Sequence, residues 1–186
     1  HESGIRLRDA VFAWRARRVL PAPPPLPTEA ELEKLAPREV LDGPHGPAVR
    51  RAANDRAAIR EVHGSLSKPD RALIPDVVPT VDGLVERVAH LAQMAHRLDQ
   101  GFDPRLVGEL DARIAEAEQD AASSDGERRL AFYRRQRATM GELVDRRAAL
   151  VRQLESAGLA LGNIRLDLVK LRSSGLQSAL SDVSTA

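Results

Sequence analysis

Apolar residues recur at helical spacing through most of the chain. From Val81 to about Gln100 they occupy Val81, Leu84, Val85, Val88, Leu91, Ala92, Ala95 and Leu98. This is the i, i+3, i+4, i+7 pattern of an amphipathic helix, with Thr80 as its cap and Gly101 as a left-handed stop. Asp103-Pro104 opens another helix, 104–122, by the cap and proline-first rule, with Leu106, Val107, Leu110, Ile114 and Ala117 on one stripe. Beyond the polar break Ser123-Ser124-Asp125-Gly126, no proline interrupts the run from Glu127 to about Ser173. Within it Leu143, Leu150, Ala157, Ile164 and Leu171 recur every seven residues, and Arg147, Leu154, Leu161 and Leu168 follow the first four at an interval of four. Eight of these nine positions are apolar, which makes a heptad seam. A helix of ~45 residues reaches about 70 Å, too long for a compact domain to cover on all sides. Two covers are therefore expected: the 104–122 helix, folded back as an antiparallel hairpin over the N-terminal half, and a second copy of the chain over the remainder. Gly158 and Gly162 in this run mark either a close helix approach or a weak point.

Upstream, breakers divide the chain into short pieces. Ile5 to Leu20 sets Leu7, Val11 and Trp14 at helical spacing among five arginines. Such a basic amphipathic helix either lies on an anionic membrane surface or docks its Trp14 face on the rest of the protein, and docking is the favoured reading. Pro21 to Pro27 holds five prolines in seven residues and reads as a stiff polyproline II spacer, ahead of a ligand for SH3-like grooves. Thr28 followed by Glu31 has the form of a capping box for a helix from Glu29 to Ala36, which Pro37 ends. The cluster from Asp42 to Pro47 precedes an Ala-rich helix running to about Leu66, with Pro47 as a first helical residue. A short turn of helix follows Ser67, and Ile74 to Pro79 is expected as a buried, non-helical connector. The fold class predicted is all-α: a small helical bundle with a long antiparallel coiled-coil hairpin. Its parts are an amphipathic helix and proline-rich linker over 1–27, the bundle over 28–101, and the hairpin over 102–186.

Charge and composition narrow the function classes. With 28 basic against 27 acidic residues, a net charge of +1 gives no case for a bulk electrostatic nucleic-acid binder. The absence of cysteine excludes disulfides, a thiol nucleophile and thiolate metal sites, and it fits a reducing compartment. No window approaches 18 uninterrupted apolar residues and no signal peptide is evident, so the expected location is the cytoplasm, with the inner face of the membrane open through residues 5–20. Aromatics are only 3% of the chain, so Ala and Leu must carry the packing. Lysine occurs only at Lys34, Lys68 and Lys170, and the many arginines predict a surface dense in forked ion pairs. The cluster Arg128, Arg129, Arg134, Arg135 and Arg137 is the strongest positive patch; it reads as a solvated helix face, with an acidic partner surface, a phosphate or nucleic acid as the other readings. Phe132 and Tyr133 within it are expected to pack in the hairpin. Asp55, Asp99 and Asp111 read as ordinary surface acids.

Motifs for catalysis do not occur. There is no HExxH, CxxC, Walker loop or GxGxxG element, and His90 and His96, six apart on one helix, face different directions. Catalytic, cofactor-binding and metal-binding residues are therefore none. Gly43 to Ile59 (GPHGPAVRRAANDRAAI), Asp70 to Leu98 (DRALIPDVVPTVDGLVERVAHLAQMAHRL) and Leu159 to Leu171 (LALGNIRLDLVKL) resemble the helical region C-terminal to the catalytic domain of certain bacterial serine/threonine protein kinases. That resemblance implies a non-catalytic, regulatory segment, because the chain has no glycine-rich loop, HRD or DFG motif. Beginning at His1 without Met, the chain reads as a piece of a longer protein. The expected function is helical interaction and dimerisation through Leu143, Leu150, Leu154, Leu161, Ile164, Leu168 and Leu171, with Trp14 as a further contact. The partner is a second copy or another protein. The alternative is a structural or membrane-surface subunit anchored by the N-terminal helix.

Overall fold

The computed structural model describes residues 26–101, 103, 105–119 and 123–184, with side chains as far as Gly175. Trp14, the Ile5 to Leu20 segment and most of the proline spacer lie outside the described residues. Among the described residues there are seven helices and no strand. They are α1 (Glu29–Glu33), α2 (Arg38–Leu41), α3 (Gly46–Ser65), α4 (Lys68–Ala72), α5 (Val77–Gly101), α6 (Arg105–Gln119) and α7 (Ser124–Ser184). The chain is an all-α helical bundle.

Local chemistry sets most of the boundaries. The capping box forms at α1: Thr28 N donates to Glu31 Oε2 at 2.8 Å, and Glu31 N donates to Thr28 Oγ1 at 3.4 Å. Ser67 caps α4 by accepting from Asp70 N at 3.2 Å. Two expected boundaries move. The connector ending at Pro79 is partly helical, because α5 begins at Val77. Pro79 then falls in the first turn, where its missing N–H is one that no helix could satisfy internally, and Thr80 N instead donates to Asp76 O at 3.0 Å. Ile74, Val77 and Val78 are half-buried rather than buried. Gly101 is the last residue of α5 and has no positive φ, so the left-handed stop does not form there.

The longest helix, α7, has 61 residues and spans about 90 Å. The polar break expected ahead of it is its first turn. Gly126 N donates to Ser123 Oγ at 3.0 Å, and Asp125 and Glu127 lie where the positive end of the helix dipole favours acids. Every other long helix packs on α7. Antiparallel to it, α6 covers its N-terminal part, with Asp111 reaching Arg137 and Glu118 reaching Arg134. Over the rest lie α3 and α5, so that Ile59 and Val49 of α3, Val81, Val85 and Val88 of α5, and Leu161 of α7 form one fully buried centre. The cover expected from a second copy thus comes from within the chain. Ala52, Ala53 and Ala58 on the buried side of α3 are small enough to let two backbones approach, an option that the seam by itself does not reveal.

Candidate functional site

Arg147 is the polar exception in the heptad seam, and the structure accounts for it. Its Nε donates to Asp99 Oδ1 at 2.5 Å, while Asp99 Oδ2 accepts from Nε2 of the buried His45 at 2.8 Å. The turn before α3, the end of α5 and the middle of α7 are tied together through this one carboxylate. Burial works to raise the Asp99 carboxyl; the hydrogen bonds from Arg147 and His45, and then their charges, outweigh it and hold the group below the ordinary carboxylate value. A second tie links Arg165 Nη1 of α7 to Oδ1 of the buried Asp55 of α3 at 3.1 Å. Asp55 and Asp99 are therefore not the ordinary surface acids expected. Both belong to cross-helix pairs whose basic partners lie about 50 to 110 residues further along the chain, too far for local spacing to reveal them.

Because the folded state lowers the Asp99 pKa, its contribution to stability is present above the unfolded carboxylate value near 3.8 and lost as pH falls through the lower folded value. Asp99→Asn is expected to remove about 2 kcal/mol at neutral pH, by unpairing Arg147 and His45, and to flatten the acid limb of the stability curve below about pH 4. Thermal melts of both proteins from pH 2 to 7 check this; parallel acid limbs would refute it.

Both carboxylate oxygens of Asp99 are engaged in holding helices, which makes the cluster a clamp. Among the described residues no group of three or more His, Cys, Asp or Glu is arranged to hold a metal ion. The arginine patch is partly neutralised by α6, since Arg134 and Arg137 pair with Glu118 and Asp111 at 2.8 and 2.7 Å. Between α6 and α7 runs an open apolar groove of about 560 Å³, lined by Leu106, Leu110, Phe132, Met140 and Leu143, with Glu109, Arg113 and Arg135 among its polar residues. Phe132 is 58% exposed, its ring meeting Tyr133 edge-on at 6.1 Å. The packing expected of Phe132 is not made, and its ring is open to solvent.

Of the seam residues expected to meet a partner, Leu150, Leu154, Leu161 and Leu168 are core, and Ile164 and Leu171 pack against that core half-buried. Leu143 lines the open α6–α7 groove. Trp14 lies outside the described residues. The surface residues that the seam argument missed are Leu106, Phe132 and Met140. Phe132 alone carried a signal, as an aromatic set among charged positions on a helix.

No family model, curated protein or solved structure matches the chain. No described helix is long and apolar enough to cross a membrane.

Proposed function

We propose that the chain is a non-catalytic helical interaction module that self-associates through the α6–α7 hairpin. The observation that carries this reading is the open apolar groove beside Phe132, in a bundle whose heptad seam is already covered from within. Exposed aromatic anchors in a shallow apolar channel are the usual centres of binding energy in protein interfaces. The occupant is a second copy of the hairpin. Glu109 shares the groove with Arg113 and Arg135, so a two-fold axis passing between acid and base sets each acid opposite a base of the other copy. The resemblance to the region following the catalytic domain of bacterial serine/threonine kinases supplies a setting: a regulatory segment whose pairing brings two catalytic domains together.

Sedimentation across a concentration series tests the reading. The wild-type chain is expected to dimerise, and Phe132→Asp to weaken the dimer by at least about 2 kcal/mol, roughly 30-fold in dissociation constant. The fold should survive, because Phe132 is exposed. A wild-type chain that remains monomeric at high micromolar concentration would end the proposal.

A further inference from the structure

Two shallow grooves follow one another along the α5–α7 seam, and no residue of α3 or α6 lines either. The first, of about 320 Å³, has an apolar floor of Met94, Leu98, Leu143 and Leu150, with Arg97 and Arg146 beside it. The second, of about 200 Å³, lies against Leu84, Ala157 and Ala160, with Arg87 beside it. The step from Arg97 back to Arg87 along α5 is about 15 Å. All three arginines are exposed, and none makes an ion pair or side-chain hydrogen bond among the described residues.

Other helix pairs are joined by answered charges: Arg60 with Asp82 between α3 and α5, Arg165 with Asp55 between α3 and α7, and Arg134 with Glu118 between α6 and α7. No acid lines the two grooves of the α5–α7 seam. One turn from the three arginines on their own helices the single acid is Glu142, and it makes no ion pair with Arg146. The groove of about 580 Å³ between α3 and α7 differs, because it mixes Arg51 with Asp55 and Glu155. Gly158 and Gly162 line that groove, and a Cβ on either meets nothing within 4 Å, so the close helix approach they suggested is not made by any described residue.

We infer that the α5–α7 face binds an acidic amphipathic helix of another protein, whose apolar stripe lies in the two grooves and whose carboxylates meet Arg87, Arg97 and Arg146. Guanidinium forks suit carboxylates, and a channel between two packed helices accepts the side-chain ridge of a third. An extended peptide finds no strand edge there, since both walls are helices whose backbone groups are bonded internally. Nucleic acid would meet the arginines and leave the apolar floor uncovered. A lipid surface calls for protruding apolar side chains, whereas Met94, Leu98 and Leu143 are half-buried. Within this chain, the acid-rich amphipathic helix α6 is already engaged with α7, so the occupant comes from a different protein. The site shares only Leu143 with the α6–α7 groove and does not rest on the dimer.

The probe is a fluorescein-labelled synthetic helix of about 18 residues, with leucine at every third and fourth position and glutamate on its flanks. Its anisotropy is followed on titration with the full chain. Saturable binding is expected, weakening as salt rises and falling at least about tenfold in affinity with Arg97→Glu/Arg146→Glu. Arg97→Gln/Arg146→Gln should give an intermediate loss, and adding Arg87→Glu a further one. Because these side chains are exposed and unpaired, circular dichroism and melting should stay as in wild type. Arg128→Glu, on neither groove, should bind as wild type does, and so should Phe132→Asp, which separates this inference from the dimer proposal. Absence of saturable binding overturns the inference, as does affinity indifferent to the Arg97 and Arg146 reversals. Equal binding of a peptide with serine in place of leucine overturns it in favour of a ligand that reads charge alone. Duplex DNA or phosphatidylglycerol vesicles bound more tightly than the peptide, through the same arginines, overturn it in favour of those surfaces.

Discussion

Leu161→Ala is expected to lower folding stability by about 4 kcal/mol, a large share of the 5–15 kcal/mol typical of a natural domain. Leu161 is 0% exposed and belongs to the buried centre that α3, α5 and α7 form together. Truncation removes apolar burial and leaves a cavity that three helices held by cross-helix ion pairs cannot easily close, so the value belongs in the upper part of the usual range. The melting temperature should fall by about 8–16 °C for a chain of this size. Leu73→Ala, at a position 73% exposed, supplies the comparison and should change stability by less than about 0.5 kcal/mol. Denaturant unfolding measures both, and sedimentation should show Leu161→Ala leaving the oligomeric state alone. A variant with normal stability and altered assembly would mean that the seam is buried between copies after all.

The second large effect is expected at Gly46, the first residue of α3. A Cβ there would lie 1.9 Å from the carbonyl oxygen of Leu41 and 2.5 Å from its carbon. Both atoms are backbone, and Gly46 N itself donates to Gly43 O at 3.1 Å within the turn that joins α2 to α3. Relief therefore requires moving the turn that also carries His45 to Asp99. Alanine is favoured over glycine by about 1 kcal/mol inside a helix, but the steric term is larger, and Gly46→Ala should cost about 3 kcal/mol. The melting temperature should drop by about 6–12 °C. At Gly64 the same substitution meets nothing within 4 Å and should be neutral or stabilising by up to about 1 kcal/mol. If Gly46→Ala melts no lower than wild type, the tight passage between α2 and α3 is not as described.

Several of these features can be read from residue order. Thr28 and Glu31 announce their capping box, the stripe from Val81 to Leu98 announces α5, and Leu150, Leu154, Ala157, Leu161 and Leu168 of the seam along α7 are buried where its period picks them out. Period alone states that a face is hidden and leaves open what hides it. The answer lay in α5 together with α3, whose own apolar stripe is weak because alanine carries little hydrophobic signal while permitting close packing. Arg147 shows the same limit. A charge in the seam reads as a flaw until Asp99 and His45, each far away in sequence, are brought to it. The groove beside Phe132 was harder still, because openness depends on how α6 and α7 pack against each other and not on any one residue.

One consequence concerns synthesis. Asp55 waits for Arg165 across 110 residues, and the cover for α3 and α5 is carried by α7. At about 5–20 residues per second, a ribosome needs roughly 5–20 s to deliver it. Throughout that interval Ile59, Val85 and Val88 have no partner from α7, so the nascent chain presents a sticky surface for chaperones to shield until α7 has emerged.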